Sequence, residues 1–184
     1  MSTKYVCLLI SAIATTTPAI GATTESTHTG PYAGQEQRAI KALSPQDIAD
    51  LETGRGMGLS KVAELNHYPG PKHVLELAEP LALTDAQARD VKQIEVGMQQ
   101  SAQRLGKQIL SKEAELERLF VTYRSDDKPV RALITEIGRL QGELRFVHVD
   151  AHLSTTRLLS TAQVATYDRL RGYVGGSTPT HHNH

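Results

Sequence analysis

Apolar residues recur at steps of three and four along residues 85–124, and this helical period constrains the fold more than any other feature of the chain. The recurring positions are Val91, Ile94, Met98, Ala102, Leu105, Ile109, Leu116, Leu119 or Phe120, and Tyr123. Such spacing places one apolar stripe on the face of an α-helix. A continuous helix over this range would be roughly 60 Å long at 1.5 Å per residue. A helix of that length needs an equally long partner to cover its stripe.

The partner follows after the short polar connection Ser125-Asp126-Asp127. An Asp at this point can cap a helix start, and Pro129 suits the first helical turn. A second apolar stripe runs through Val130, Leu133 or Ile134, Ile137, Leu140, Leu144, Val147 and Ala151, which predicts a helix to about Leu158. Because the connection is short, we expect the two helices to fold back as a long antiparallel hairpin. The predicted fold class is all-α.

Shorter helices flank the predicted hairpin domain, which spans residues 81–174. In residues 35–80, Ser44 followed by Pro45 predicts a helix start, and Gly54 predicts its end. A last helix is expected from Thr161 to about Val174, ending at Gly175-Gly176, with residues 175–184 as a disordered tail that contains histidines. Aromatic residues make up only 4% of the chain and Trp is absent, which suits helices packed on helices.

The first residues have the pattern of a cleavable secretory signal. Lys4 precedes an apolar run over residues 6–13, and small residues follow near Ala22, so residues 1–22 are predicted to be removed and 23–34 to form a flexible leader. The apolar run is too short to span a bilayer, so no membrane span is expected after cleavage. Cys7 would leave with the signal. Twenty basic and twenty acidic residues balance, so no nucleic-acid partner is indicated.

Two short segments repeat a helix-start pattern, Leu83-Thr84-Asp85-Ala86-Gln87 and Leu159-Ser160-Thr161-Ala162-Gln163. In each, a hydroxyl residue is followed three residues later by Gln, which is the spacing of a capping box. The side chains of Thr84 and Gln87 would then satisfy each other's backbone amides, as would those of Ser160 and Gln163. One such box is common in helical proteins. Two boxes, one opening the hairpin and one opening the helix after it, are more specific.

This pair of Leu-Thr-x-x-Gln segments in an exported helical chain resembles the periplasmic Spy/CpxP group, which includes the zinc-linked ZraP and the metal-sensing CnrX branches. The resemblance covers about residues 70–174. It implies a periplasmic stress-response protein, a homodimer of coiled-coil-like helical hairpins. The implied function is an ATP-independent chaperone or adaptor for unfolded polypeptides or an envelope sensor protein, or alternatively heavy-metal sensing or resistance. Ser160 in place of Thr, the neutral net charge and the long lead over residues 35–70 depart from that pattern.

His148 and His152 lie four residues apart, so one helix face can offer both imidazoles to a transition metal such as Zn, Ni, Co or Cu. The resemblance to the metal-sensing branch points to the same pair. The alternative is that both simply line a groove, because a site needs three or four ligands. With a turn near residue 126 the facing helix would offer only Gln99, Gln100, Gln103 and Arg104. Further ligands would have to come from His67, His73 or a second subunit.

The tail carries a second and weaker metal-binding candidate in His181, His182 and His184. A flexible tail of this kind loses conformational entropy on binding and has no preformed surroundings. No cofactor is required by the sequence, and no enzyme is predicted, because nucleophile elbows, two-Cys pairs and His-Glu-x-x-His are all missing. Three hypotheses remain: a polypeptide-binding chaperone or adaptor, a heavy-metal sensor or buffer, and a purely structural hairpin.

Overall fold

The computed structural model describes residues 29–123 and 126–173. The chain divides into two units between Ala33 and Gly34. In the first unit the described residues form a turn closed by the Ala33 amide, which donates to the Gly30 carbonyl at 3.1 Å. The elements below all belong to the second unit. The predicted signal peptide (1–22) and the histidine tail (175–184) lie outside the described residues.

The described part of the chain is built from α-helices and turns and contains no strand, which confirms the predicted all-α class. In chain order the helices are α1 (Pro45–Thr53), α2 (Lys61–Glu64), α3 (Pro71–Glu76), α4 (Asp85–Val121), α5 (Asp127–Leu158) and α6 (Thr161–Arg171). Two of them, α4 with 37 residues and α5 with 32, are far longer than the rest. In the described residues no helix is both long and apolar enough to cross a membrane.

Local capping sets several helix ends. Ser44 caps α1 through its hydroxyl, which accepts from the Asp47 amide at 3.1 Å, and Gly54 ends that helix in the left-handed region at φ 68°. Asp126 precedes α5 but makes no side-chain capping bond. The prediction that α6 runs to about Val174 is wrong. It ends at Arg171, because Gly172 takes a left-handed φ of 75° and closes the helix there.

The long helices α4 and α5 share one core. Its buried members are Leu51, Ala102, Leu105, Ile109, Leu140 and Leu144. At one end of the pair the side chain of Gln87, in the first turn of α4, reaches the carbonyl of Leu158, the last residue of α5, at 2.7 Å. Residues predicted from the two apolar stripes therefore pack against each other, and a long helical pair is present as expected.

The N-terminal helices cover one side of this pair, and α1 comes unusually close to α4 at Gly106. A Cβ placed on Gly106 would lie 2.0 Å from the Leu51 carbonyl oxygen, so only glycine permits this approach. The Gln99 side chain of α4 also binds α1 here, because its Nε2 donates to the Thr53 carbonyl at 2.6 Å. By contrast, Gly97 and Gly138 have no such neighbour within 4 Å of the Cβ position.

A second core lies at the start of α4, where α3 and α6 meet it. Its buried members are Val74, Leu81, Val91 and Tyr167, and several leucines pack around them. Tyr167 has no exposed surface, and it brings α6 against the short N-terminal helices. This core places the starts of α4 and α6, which carry the two repeated segments, next to each other.

Candidate functional site

The two repeated segments meet in space through their glutamines. Each forms its capping box: the Thr84 hydroxyl accepts from the Gln87 amide at 3.1 Å, and the Ser160 hydroxyl accepts from the Gln163 amide at 3.2 Å. The two side-chain amides then pair. Gln87 Nε2 donates to Gln163 Oε1 at 3.0 Å, and Gln163 Nε2 donates to Gln87 Oε1 at 3.1 Å.

Both glutamines also bind backbone groups, so the pair forms a closed network. Gln87 Nε2 donates to the Leu158 carbonyl at 2.7 Å, and Gln163 Nε2 donates to the Leu81 carbonyl at 3.2 Å. Their Oε1 atoms accept from the Thr84 and Ser160 amides at 3.1 and 2.8 Å. We call this network the glutamine clasp. It joins the starts of α4 and α6 to the end of α5, and is structural.

His148 and His152 lie inside the protein, on the side of α5 that faces the N-terminal segment. They are 2% and 8% exposed. His152 Nδ1 lies 2.7 Å from the Tyr68 carbonyl, so this nitrogen carries the proton and donates. Gly70 makes room for the ring, because a Cβ there would lie 2.7 Å from His152 Cε1 and 2.8 Å from its Nε2. The Tyr68 carbonyl thus orients the His152 ring through Nδ1, and Nε2 takes no part in that hydrogen bond.

His148 has an unusual environment for a polar side chain. Its Nε2 is buried and has no hydrogen-bond partner among the described residues. Burial, and secondarily the neighbouring charge of His152, hold the pKa of His148 below its ordinary value of 6.5. His148 is therefore neutral at physiological pH, which is the protonation state in which imidazole binds metal ions.

Both histidines line a cavity of about 700 Å³ between the N-terminal helices and the long pair. Three further side chains with metal-binding chemistry line it as well, namely Asp50, His73 and Glu95. Each is already paired: Arg55 lies 3.6 Å from Asp50, Glu76 lies 2.7 Å from His73, and Lys92 lies 2.6 Å from Glu95. The cavity is therefore polar, but its charged groups are directed to other partners.

The other predicted metal ligands do not join His148 and His152. His67 pairs instead with the buried Asp168, with Nδ1 and Oδ2 2.8 Å apart. His181, His182 and His184 lie outside the described residues. Across residues 29–123 and 126–173, no group of three or more His, Cys, Asp or Glu side chains is placed to hold a metal ion. The structure brings together the helix-borne pair and His73 around one cavity, without a complete ligand set.

A partly buried polar cluster around Glu64 was not predicted from the sequence. Glu64 Oε1 accepts hydrogen bonds from the hydroxyls of Tyr167 at 2.6 Å and Tyr173 at 2.9 Å. Glu64 Oε2 lies 3.6 Å from His152 Nδ1, and Arg171 lies 3.6 Å from Oε1. Burial and the carboxylate beside it raise the pKa of the Tyr167 hydroxyl well above its ordinary value of 10.0. Nothing in the sequence marks Glu64, because its partners come from distant helices.

The long pair also carries a surface groove of about 250 Å³. Its apolar lining residues are Ile94, Met98, Phe146, Val147 and Ala151, and the small residues Gly97, Ser101 and Ser154 also line it. Phe146 is 62% exposed, an unusual degree for an aromatic ring. We call this surface the outer groove. Among the described residues, only α4 and α5 line it.

Comparison of the chain with protein-family models, with curated proteins and with solved structures gives no match.

Proposed function

We propose that this protein is an exported, periplasmic stress protein of the Spy/CpxP type that binds unfolded or partner polypeptides without ATP. The observation that carries the proposal is the outer groove. It is an apolar strip on the long pair, with Phe146 standing 62% exposed beside it. Contiguous exposed apolar surface rimmed by polar groups is a common mark of polypeptide-binding sites.

The chemistry of the outer groove suits clients of varied sequence. Met98 is flexible and polarisable, and such side chains adapt to different apolar partners. Asp150 and Gln93 stand at the rim and can bind the backbone of an extended chain. Gly97 leaves space above α4, because nothing lies within 4 Å of its Cβ position. A shallow groove with few specific polar groups favours broad rather than sequence-selective recognition.

The same proposal includes an antiparallel hairpin and a homodimer. The hairpin is supported by Gln87 at the start of α4, which binds the Leu158 carbonyl at the end of α5. The dimer is supported by apolar side chains left open at the far end of the long pair. Phe120 is 55% exposed and Ile134 is likewise 55% exposed. Sedimentation of the mature chain measures the oligomer, and a monomer at all concentrations would contradict this part of the proposal.

Light scattering of reduced, aggregating α-lactalbumin tests the polypeptide-binding function, with no ATP present. We expect the mature chain to suppress aggregation, and Phe146→Ser to weaken suppression several-fold because it removes the exposed ring of the outer groove. Leu65→Ser is the matched control, since Leu65 is 51% exposed and does not line the groove. Absence of suppression at several-fold molar excess, or equal loss in both variants, would contradict the proposal.

A second candidate function, heavy-metal sensing or buffering, is favoured by the buried His148 Nε2 that has no partner. The Tyr68 carbonyl holds the His152 ring by its Nδ1, an arrangement that also orients metal-binding imidazoles. His148 and His152 would supply two ligands. Water, or His73 turned away from Glu76, would complete the set.

Calorimetric titration with Zn, Ni, Co and Cu tests this second function. Specific binding at the pair predicts a stoichiometric site whose affinity falls at least about tenfold in the His148→Ala/His152→Ala variant. A His181→Ala/His182→Ala/His184→Ala variant separates the tail from the pair. If the tail variant alone abolishes binding, the helix-borne pair is not the site.

A further inference from the structure

A second cavity, of about 410 Å³, opens between α1, residues 57–59 and the long helices. Most of the side chains that line it are aliphatic, among them Leu51, Ile109 and Leu144. Small-molecule sites commonly measure 300–1,000 Å³ and have apolar walls with a few polar groups. The aliphatic cavity, as we call it, has that size and that character. It shares Met57 with the histidine cavity, but neither His148 nor His152 lines it.

The charged groups of the aliphatic cavity are Asp47 and Arg145. The Asp47 carboxylate is already engaged, because its Oδ2 accepts from the Ser44 amide at 2.9 Å and from the Ser44 hydroxyl at 2.6 Å. Those bonds hold the pKa of Asp47 below its ordinary value. Arg145 has no ion pair within 4.0 Å among the described residues. The cavity therefore has an available cation, while its anion is bound to the start of α1.

Gly142 also lines the aliphatic cavity, and it lies in the middle of α5. A helix interior disfavours glycine, and here no close packing accounts for it, because nothing lies within 4 Å of its Cβ position. Its missing side chain leaves space at the wall of the cavity. A larger residue at position 142 would occupy part of that space.

We propose that the aliphatic cavity binds an aliphatic carboxylate, a medium-chain fatty acid, with its hydrocarbon chain among Leu51, Ile109 and Leu144. The chain gains free energy by leaving water for the apolar wall. The carboxylate meets the Arg145 guanidinium, whose planar fork matches the two oxygens of a carboxylate. An uncharged alcohol of the same length would lose the second interaction, and an amine would be repelled by it. This inference does not depend on the proposed polypeptide-binding function.

Calorimetric titration of the mature chain with octanoate, below its micelle concentration, tests the proposal. We expect saturable binding with one site per chain, and weaker binding of both octanol and octylamine. Arg145→Gln should weaken octanoate binding about tenfold and leave octanol binding unchanged. Arg131→Gln is the matched control, because Arg131 is another exposed arginine of α5 but does not line the cavity. No octanoate binding, or equal binding of octylamine, would overturn the proposal.

Filling the cavity supplies the second arm of the test. Gly142→Leu places a side chain at the wall and suits a helix better than glycine, so the variant is expected to fold and to lose octanoate binding. Gly138→Leu, four residues earlier on α5, is the control and should bind like the unaltered chain, since Gly138 is equally open and does not line the cavity. Circular dichroism verifies the helix content of both. Unchanged octanoate affinity in Gly142→Leu would place the ligand elsewhere and contradict the assignment.

Discussion

Gln87 and Gln163 exchange hydrogen bonds through both atoms of their side-chain amides, at 3.0 and 3.1 Å, although 76 residues separate them in the chain. Each glutamine is also the third residue after a helix cap. A motif that serves a local purpose at two helix starts thereby becomes a tertiary contact. This explains why both starts carry glutamine where glutamate would cap equally well: two carboxylates in this position would repel each other.

Removing either glutamine should destabilise the fold by more than the loss of a cap. We expect Gln87→Ala and Gln163→Ala each to lower the free energy of unfolding by about 1–3 kcal/mol, because backbone carbonyls and the partner amide lose their bonds. The double variant should show a coupling energy of about 0.5–3 kcal/mol in urea denaturation. Gln108→Ala, at an exposed position of α4, is the control and should change stability by less than about 0.5 kcal/mol. Strict additivity would argue against the clasp.

Two glycines of α4 should respond to alanine with opposite signs. Gly106→Ala places a methyl group against the Leu51 carbonyl and should destabilise the protein by about 1–3 kcal/mol, since backbone must move. Gly97→Ala meets open space and should stabilise by about 0.5–1 kcal/mol, because alanine restricts the unfolded chain. Thermal denaturation of the two single variants measures both. A stabilised Gly106→Ala variant would show that α1 does not cross there.

Acidification should destabilise the protein through His148. Its folded-state pKa lies below the ordinary 6.5, so the unfolded chain takes up the proton first. The stability that the neutral ring contributes is complete above about pH 6.5 and is lost as the pH falls toward the folded-state pKa. NMR titration should give a His148 midpoint below 6.5 that rises in His152→Gln, because His152 contributes to the shift. The His148→Gln variant should lose less stability between pH 7.5 and 5.5. A midpoint at or above 6.5 would be inconsistent with a buried ring.

Glu64 should be the most sensitive residue of the partly buried polar cluster. Glu64→Ala leaves the Tyr167 and Tyr173 hydroxyls without their acceptor and is expected to cost about 2–4 kcal/mol of stability in urea denaturation. Glu64→Gln retains an oxygen that can accept both bonds, so it should cost less than half as much. Glu79→Ala, at an exposed position, provides the control. Equal losses in the Ala and Gln variants would show that charge, and not the hydrogen bonds, dominates.

Elements that depend on neighbours along the chain can be predicted from the residue pattern alone. The stripes on α4 and α5 and the caps at Ser44, Thr84 and Ser160 involve residues at most a few positions apart, so their spacing is visible in the sequence. The end of α6 differs from the predicted one, because Gly172 takes a left-handed φ of 75° and ends the helix before Gly175.

Contacts between groups far apart in the chain could not be predicted in this way. The pairing of Gln87 with Gln163, the crossing of α1 at Gly106 and the burial of His148 against the N-terminal segment all depend on how helices far apart in the chain are aligned. The spacing of His148 and His152 predicts that they share a helix face. It does not predict that both are buried, or that the Tyr68 carbonyl orients the His152 ring. The physical reason is the sequence distance over which each interaction acts. Capping and periodicity involve residues within one helix, whereas a cavity or the glutamine clasp forms only after several helices have packed.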